Sequence, residues 1–187
     1  MEAFVTTLLL TAIVQTGDRS QLLAAALGQR FDRPAPLLLA AFVASGVTAA
    51  IGALGGQVVG DWISVDALRL FYALSLLLAG LGMFAWRRPV DVLQGWRTGP
   101  LLTGLLGLLI LQFGDKGQFI IAATAARNHD WVWPLLGGWA GTWLGLAPAV
   151  IWQGDLARLP LRAIRIVAGS VIALVGTALA LAAYGLI

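Results

Sequence analysis

Gln15-Thr16-Gly17-Asp18-Arg19-Ser20-Gln21 and, 97 residues later, Gln112-Phe113-Gly114-Asp115-Lys116-Gly117-Gln118 are two copies of one pattern. Each places a glutamine three residues either side of an aspartate, glycine before the aspartate and a basic residue after it. Each copy lies inside an apolar stretch, flanked by Leu8-Leu9-Leu10 and Leu22-Leu23 in one case, and by Leu108-Leu109-Ile110-Leu111 and Phe119-Ile120-Ile121 in the other. An ionisable side chain at that depth in a bilayer costs at least about 2.5–3.5 kcal/mol. Asp18, Arg19, Asp115 and Lys116 therefore imply partners or a task. Glycine before each aspartate lowers helix propensity, and a helix broken there would aim backbone amides and carbonyls into a cavity. Gln15 with Asp18 and Gln112 with Asp115 are spaced i,i+3 and share a face, which Gln21 and Gln118 continue.

The composition supports membrane embedding. Of 187 residues, 59% are hydrophobic and 11% charged, against roughly 45–50% and about 25% in a soluble domain. Apolar stretches cover 3–27, 36–59, 67–86, 101–126, 131–152 and 166–187, each long enough to cross at about 20 residues per span. The connections are too short for an appended soluble catalytic domain. The start, Met1-Glu2-Ala3-Phe4, lacks the basic region of a removable signal peptide and is expected to belong to the mature fold. With no cysteine and one histidine, thiolate, disulfide and His-rich zinc chemistry are excluded. The net charge of +3 sits mainly in the connections, which favours membrane orientation over a nucleic-acid partner.

If six spans are right, connections one, three and five share a side and carry Arg30, Arg33, Arg87, Arg88, Arg97, Arg158, Arg162 and Arg165, while the other side has Arg69 and Arg127. That asymmetry places the odd connections in the cytoplasm and both termini outside. Trp62, Trp86, Trp96, Trp131, Trp133 and Trp152 fall near span ends, as interfacial anchors do. The repeat continues beyond the motif. Pro134 answers Pro36 at an offset of 98, while Ile164-Arg165-Ile166 answers Leu68-Arg69-Leu70 and Gly176 answers Gly80 at 96. Three spans per half reverse the entry side of the second half. The expected fold is thus all-α, a polytopic membrane protein with six transmembrane helices in two inverted three-helix repeats, 1–86 and 100–187, joined by a cytoplasmic linker at 87–99. Helices one and four are expected to be broken. Such repeats characterise secondary transporters with a site near the midplane.

Brought together by a pseudo-twofold axis, the two motifs would surround two carboxylates with amide and hydroxyl oxygens. That donor set suits a hard cation such as Mn2+, Ca2+ or Mg2+ better than copper or zinc. Asp18, Asp115, Gln15 and Gln112 are the candidate ligands, with Thr16, Ser20, Gln21 and Gln118 in support; the alternative is that each aspartate caps a half-helix or pairs with a basic neighbour inside the bundle. Arg19 and Lys116, also counted as supporting residues, follow their aspartates directly, point about 100° away on a helix, and need not share the pocket, the favoured reading being that they pair with other polar groups or snorkel. Gly137, Gly141 and Gly145, and likewise Gly56 and Gly60, form small-residue stripes for close helix packing. Ser45, Thr48 and Ser75 could line a path or equally be satisfied within their own helices, and His129 reads as an interfacial residue.

The doubled motif resembles that of the Gdt-type cation/proton exchanger family, the Golgi Mn2+/Ca2+ transporters and bacterial manganese exporters within the lysine-exporter superfamily. That family carries Glu-x-Gly-Asp-(Lys/Arg)-(Thr/Ser) twice, often followed by Gln-Leu-Leu. The likeness includes Gln21-Leu22-Leu23, Ala24 to Leu27, the turn at 30–36, and Ala147-Pro148-Ala149-Val150 with Gly154-Asp155 and Leu159-Pro160. Three departures stand out: Gln15 and Gln112 replace the motif glutamates, Gly117 replaces a hydroxyl residue, and Leu146 stands where a further acid is expected. A glutamine can offer a carbonyl oxygen to a cation but cannot release a proton.

The resemblance implies a secondary transporter of the inner (plasma) membrane that exchanges Mn2+ or Ca2+ for protons, with no resident cofactor and no enzymatic activity. Asp18 and Asp115 would be shared metal ligands and proton acceptors. In the cation-free state the paired carboxylates repel, so proton uptake relieves the repulsion and cation binding displaces the protons. Two rivals are export of a small organic cation or amino acid, and a non-transporting structural or regulatory membrane subunit. The oligomeric state, a homodimer among the options, is left open.

Overall fold

All described secondary structure in the computed structural model is helical. Residues 1–85, 90–153 and 159–185 are described. Trp86, Arg87, Arg88, Pro89, Gly154, Asp155, Arg158 and Ile187, which carried interfacial, connection, resemblance or boundary readings, lie outside them. The described helices are α1 (Glu2–Gln15), α2 (Arg19–Phe31), α3 (Pro34–Trp62), α4 (Val65–Phe84), α5 (Pro100–Gln112), α6 (Lys116–Asn128), α7 (Val132–Trp152) and α8 (Leu161–Ala183).

Local chemistry accounts for the boundaries. Pro34 and Pro100 open α3 and α5, where a missing N–H costs nothing. Ser64 caps α4 by accepting from the Ala67 amide at 3.4 Å. α2 and α6 both end on a left-handed residue, Asp32 and His129, each at φ 49°. α3, α4, α7 and α8 are each long and apolar enough to cross a membrane, and α5 with α6 passes as a pair bent by 63°. α1 is apolar but has only 14 residues, about 21 Å of helix against a hydrocarbon core of about 30 Å. Four helices, or five spans if the bent pair counts as one, thus have the character of crossings.

Small residues bring the helices together, the expected route where lipid is as apolar as the core. α7 lies along α1 so closely that a Cβ at Gly137 would sit 2.2 Å from the Phe4 carbonyl oxygen, and one at Gly141 2.2 Å from Thr11 Oγ1. α3 meets α6 the same way, with a Cβ at Gly56 falling 2.1 Å from the Ala122 oxygen. α4 packs along α8 through Gly80, Gly169 and Gly176. The close-packing reading of the stripes holds. Leu23, Leu27, Leu37, Leu108, Leu146 and Val150 form one core between α2, α3, α5 and α7; Val14, Leu76, Met83, Ile120 and Ile172 form another between α1, α4, α6 and α8. Large apolar side chains such as Leu78, Ile110 and Leu174 face outward, as a lipid-facing surface requires. Arg30 donates to the carbonyls of Val92, Leu93 and Trp96 at 3.1, 2.6 and 2.9 Å, folding the connecting chain back onto α2.

Candidate functional site

Both motifs form the same elbow. In the first, Thr16 (φ −62°, ψ 121°), Gly17 (φ 65°) and Asp18 (φ −78°, ψ 166°) separate α1 from α2. In the second, Phe113 (φ −68°, ψ 121°), Gly114 (φ 71°) and Asp115 (φ −76°, ψ 158°) separate α5 from α6. The left-handed glycine makes the reversal without a Cβ clash. Asp18 and Asp115 are the N-caps of α2 and α6, where the helix dipoles favour negative charge.

The second glutamine of each motif fixes its elbow. Gln21 Oε1 accepts from the Gly17 amide at 2.7 Å while its Nε2 donates to the Gly145 carbonyl at 2.6 Å. Gln118 Oε1 accepts from the Gly114 amide at 2.7 Å while its Nε2 donates to the Thr48 carbonyl at 3.1 Å. The anchors are themselves a repeat pair, 48 and 145 differing by 97. Each elbow is thereby fastened to a helix of the opposite half.

The two elbows converge on the ammonium of Lys116. Lys116 Nζ is ion-paired to Asp18 Oδ1 and lies 3.4 Å from Asp115 Oδ1. The side chains of Asp18, Lys116 and Asp115 are 2%, 8% and 14% exposed, so the cluster is nearly closed. Here the structure differs from the favoured reading that Lys116 pairs with other polar groups or snorkels. The 100° argument assumes a continuous helix, whereas Asp115 is an extended cap, and Asp18 approaches from the other half. Arg19, the equivalent residue of the first motif, is exposed and makes no ion pair among the described residues.

Gln15 and Gln112 are buried beside their elbows. The Thr48 hydroxyl donates to Gln112 Oε1 at 3.0 Å. Gln15 Nε2, Gln112 Nε2 and Ser45 Oγ are buried with no hydrogen-bond partner among the described residues, each an unusual condition costing about 1–3 kcal/mol. Gly145 stands where Thr48 does in the repeat, and a Cβ there would press 2.7 Å from Gln15 Cβ, so glycine makes room for Gln15. Ser20 Oγ reaches Asp18 Oδ2 at 3.3 Å. Thr16 bonds back to Ala12 O at 3.3 Å and Ser75 to Tyr72 O at 2.8 Å, both within their own helices or helix ends.

Arg165 was assigned to a cytoplasmic connection, and the structure places it instead in the second turn of α8, 7% exposed. Its guanidinium donates to Gly17 O at 2.7 Å, Thr16 O at 3.4 Å, Met83 O at 3.1 Å and Gly82 O at 3.4 Å. It thus satisfies carbonyls released by the first elbow and by the end of α4. Its repeat counterpart Arg69 is exposed and paired with Asp66 at 3.4 Å. The flanking Ile164 and Ile166 were the sequence signal that Arg165 enters an apolar helix.

The family described as "Divalent cation/proton antiporter GDT1" matches the chain over residues 3–88 and 100–186. A Vibrio cholerae serotype O1 protein named "Putative manganese exporter" is 30% identical over 176 residues, covering 90% of this chain and 86% of that protein. No solved structure matches significantly.

Proposed function

Because the chain belongs to the divalent cation/proton antiporter family, we propose that this multi-pass membrane protein exchanges a hard divalent cation, Mn2+ or Ca2+, for protons at the Asp18–Asp115 pair. One observation carries the reading: two carboxylates from opposite halves both meet one cationic group, Lys116 Nζ. A pair placed to neutralise one positive charge is placed to ligate one metal ion, and in its absence to hold protons. The name of the Vibrio relative favours manganese.

Gln15 and Gln112 complete the oxygen set. The Thr48 hydroxyl lies 3.0 Å from Ala44 O and 3.2 Å from Ser45 O as well as from Gln112. In the cation-bound state a half-turn of the Gln112 amide, with the Thr48 proton on a backbone carbonyl, would let Thr48 accept from the NH2 and turn the amide oxygen toward the cation. In this reading α1–α2 and α5–α6 each act as one broken span. The chain then crosses six times in two inverted halves, 1–86 and 100–187, linked by 87–99 on the cytoplasmic side with both termini outside.

The test is Mn2+ and Ca2+ flux into proteoliposomes with an internal pH dye. Asp18→Asn and Asp115→Asn should each abolish coupled flux, and the double variant should be no worse than either single one, as for groups acting as a unit. Additive partial losses would refute a shared site. A second reading, export of a small organic cation or amino acid, draws on the fact that the group held by the pair is itself an alkylammonium. It predicts amine flux with no divalent flux in the same vesicles.

A further inference from the structure

Lys116 is the only lysine in the chain, beside eleven arginines, and its ammonium lies between the two carboxylates proposed to bind the cation. We propose that Lys116 is the specificity-determining residue of the exchange, a tethered monovalent cation that occupies the carboxylate pair between substrates and yields only to an ion of higher charge. The inference rests on the cation-site reading above.

Three observations support displacement rather than a permanent structural ion pair. The first is residue type. Lysine presents a compact point charge on a flexible stem, whereas arginine would grip a carboxylate through a rigid two-pronged fork. The second is space. Lys116 lines an apolar groove of about 390 Å³ with Phe71, Leu74, Ser75, Leu78, Ala79, Gly114 and Phe119. Its methylenes already approach α4 there, since a Cβ at Gly82 would lie 3.5 Å from Lys116 Cδ. Withdrawal of the amine along this groove keeps the stem in apolar contact, as in snorkelling. The third is asymmetry. Arg19, the corresponding residue of the first motif, is exposed, so of the two motif bases it is Lys116 that reaches the pair.

The selectivity follows from Coulomb's law. A divalent ion doubles the attraction to each carboxylate and approaches oxygen at about 2.0–2.6 Å, closer than the roughly 2.7–2.9 Å of an ammonium. A monovalent ion gains no charge over Lys116 and must compete with an amine whose effective concentration is at least of millimolar order. Sodium and potassium are therefore excluded by competition rather than by pocket size.

Because Lys116 is the sole lysine, its reactivity can be read on the native protein by amine acetylation and mass spectrometry. MnCl2 or CaCl2 should raise acetylation of Lys116 several-fold, while NaCl at equal ionic strength should leave it unchanged. The second arm measures Mn2+ binding by calorimetry on full-length variants. Lys116→Met should bind Mn2+ at least tenfold more tightly and become sensitive to competition by Na+, whereas Lys116→Arg should keep Na+ excluded. If Lys116→Met does not fold, the acetylation arm still decides. Mn2+ binding that is lost in Asp18→Asn but leaves Lys116 reactivity unchanged or lowered overturns the tether and spares the cation site. Absence of Mn2+ and Ca2+ binding to the native protein removes both.

Discussion

Gly17 and Gly114 occupy equivalent corners of the two elbows, yet substitution by alanine should have unequal consequences. Both adopt positive φ, 65° and 71°, so a Cβ at either costs about 1–2 kcal/mol from the left-handed conformation alone. At Gly114 nothing among the described residues lies within 4 Å of the new methyl, so that cost is the expected effect. At Gly17 the methyl would stand 2.8 Å from Arg165 Cδ, inside van der Waals contact. Arg165 must move, yet its guanidinium is held at 2.7 Å by Gly17 O. Losing one charged hydrogen bond in a buried setting adds about 1.5–3 kcal/mol. Gly17→Ala should therefore be less stable than Gly114→Ala by about 2 kcal/mol, a difference in melting temperature of roughly 4–8 °C for a chain of this size. Thermal unfolding of both variants in the same detergent, followed by intrinsic tryptophan fluorescence, measures it. Equal melting temperatures would refute the claim that Arg165 holds the first elbow.

Restoring acids with Gln15→Glu and Gln112→Glu should tighten Mn2+ binding and steepen its pH dependence, because the new ligands must lose protons before coordinating; calorimetry at two pH values checks this, and a double variant that melts lower and ignores every divalent ion would remove these positions from the site. Cysteines introduced at Asp91 and Asp130 in this cysteine-free chain should react with an impermeant maleimide from opposite faces of the membrane, Asp130 from outside; labelling from one face would exclude the inverted topology. Gly56→Ala should lower the melting temperature markedly, since its methyl meets the Ala122 backbone oxygen rather than a side chain that can turn away, and such overpacking costs about 1–3 kcal/mol.

The parts of this molecule that were legible in its sequence are those set by local pattern. The doubled Gly-Asp motif located both elbows, because glycine at positive φ followed by a helix cap is decided within a few residues. The stripes at Gly137, Gly141 and Gly56, Gly60 announced close helix contacts for the same reason. Lys116 was misread because its direction depends on where α6 begins, and one extended residue at Asp115 cancels the helical angle. Arg165 was misread because a basic residue in a connection and one in the first turns of a helix look alike until α8 is packed on α4. Thr48 was read as path-lining or satisfied by its own helix, and it does bond Ala44 O and Ser45 O, but its contact with Gln112 joins residues 64 apart, a relation that no local spacing encodes.

Gln21 and Gln118 bear on biogenesis. Each elbow is fastened by a backbone carbonyl that belongs to the opposite half, Gly145 for the first and Thr48 for the second. During synthesis the amino-terminal elbow emerges more than a hundred residues before its anchor, 145 following 21 by 124. Until α7 has been inserted, that elbow has a glutamine amide with nowhere to bond, and it acquires its final shape only when the chain is nearly complete. A half expressed alone would keep the bond from its glutamine to the glycine amide but lack the carbonyl of the opposite half that fastens the elbow in the complete chain.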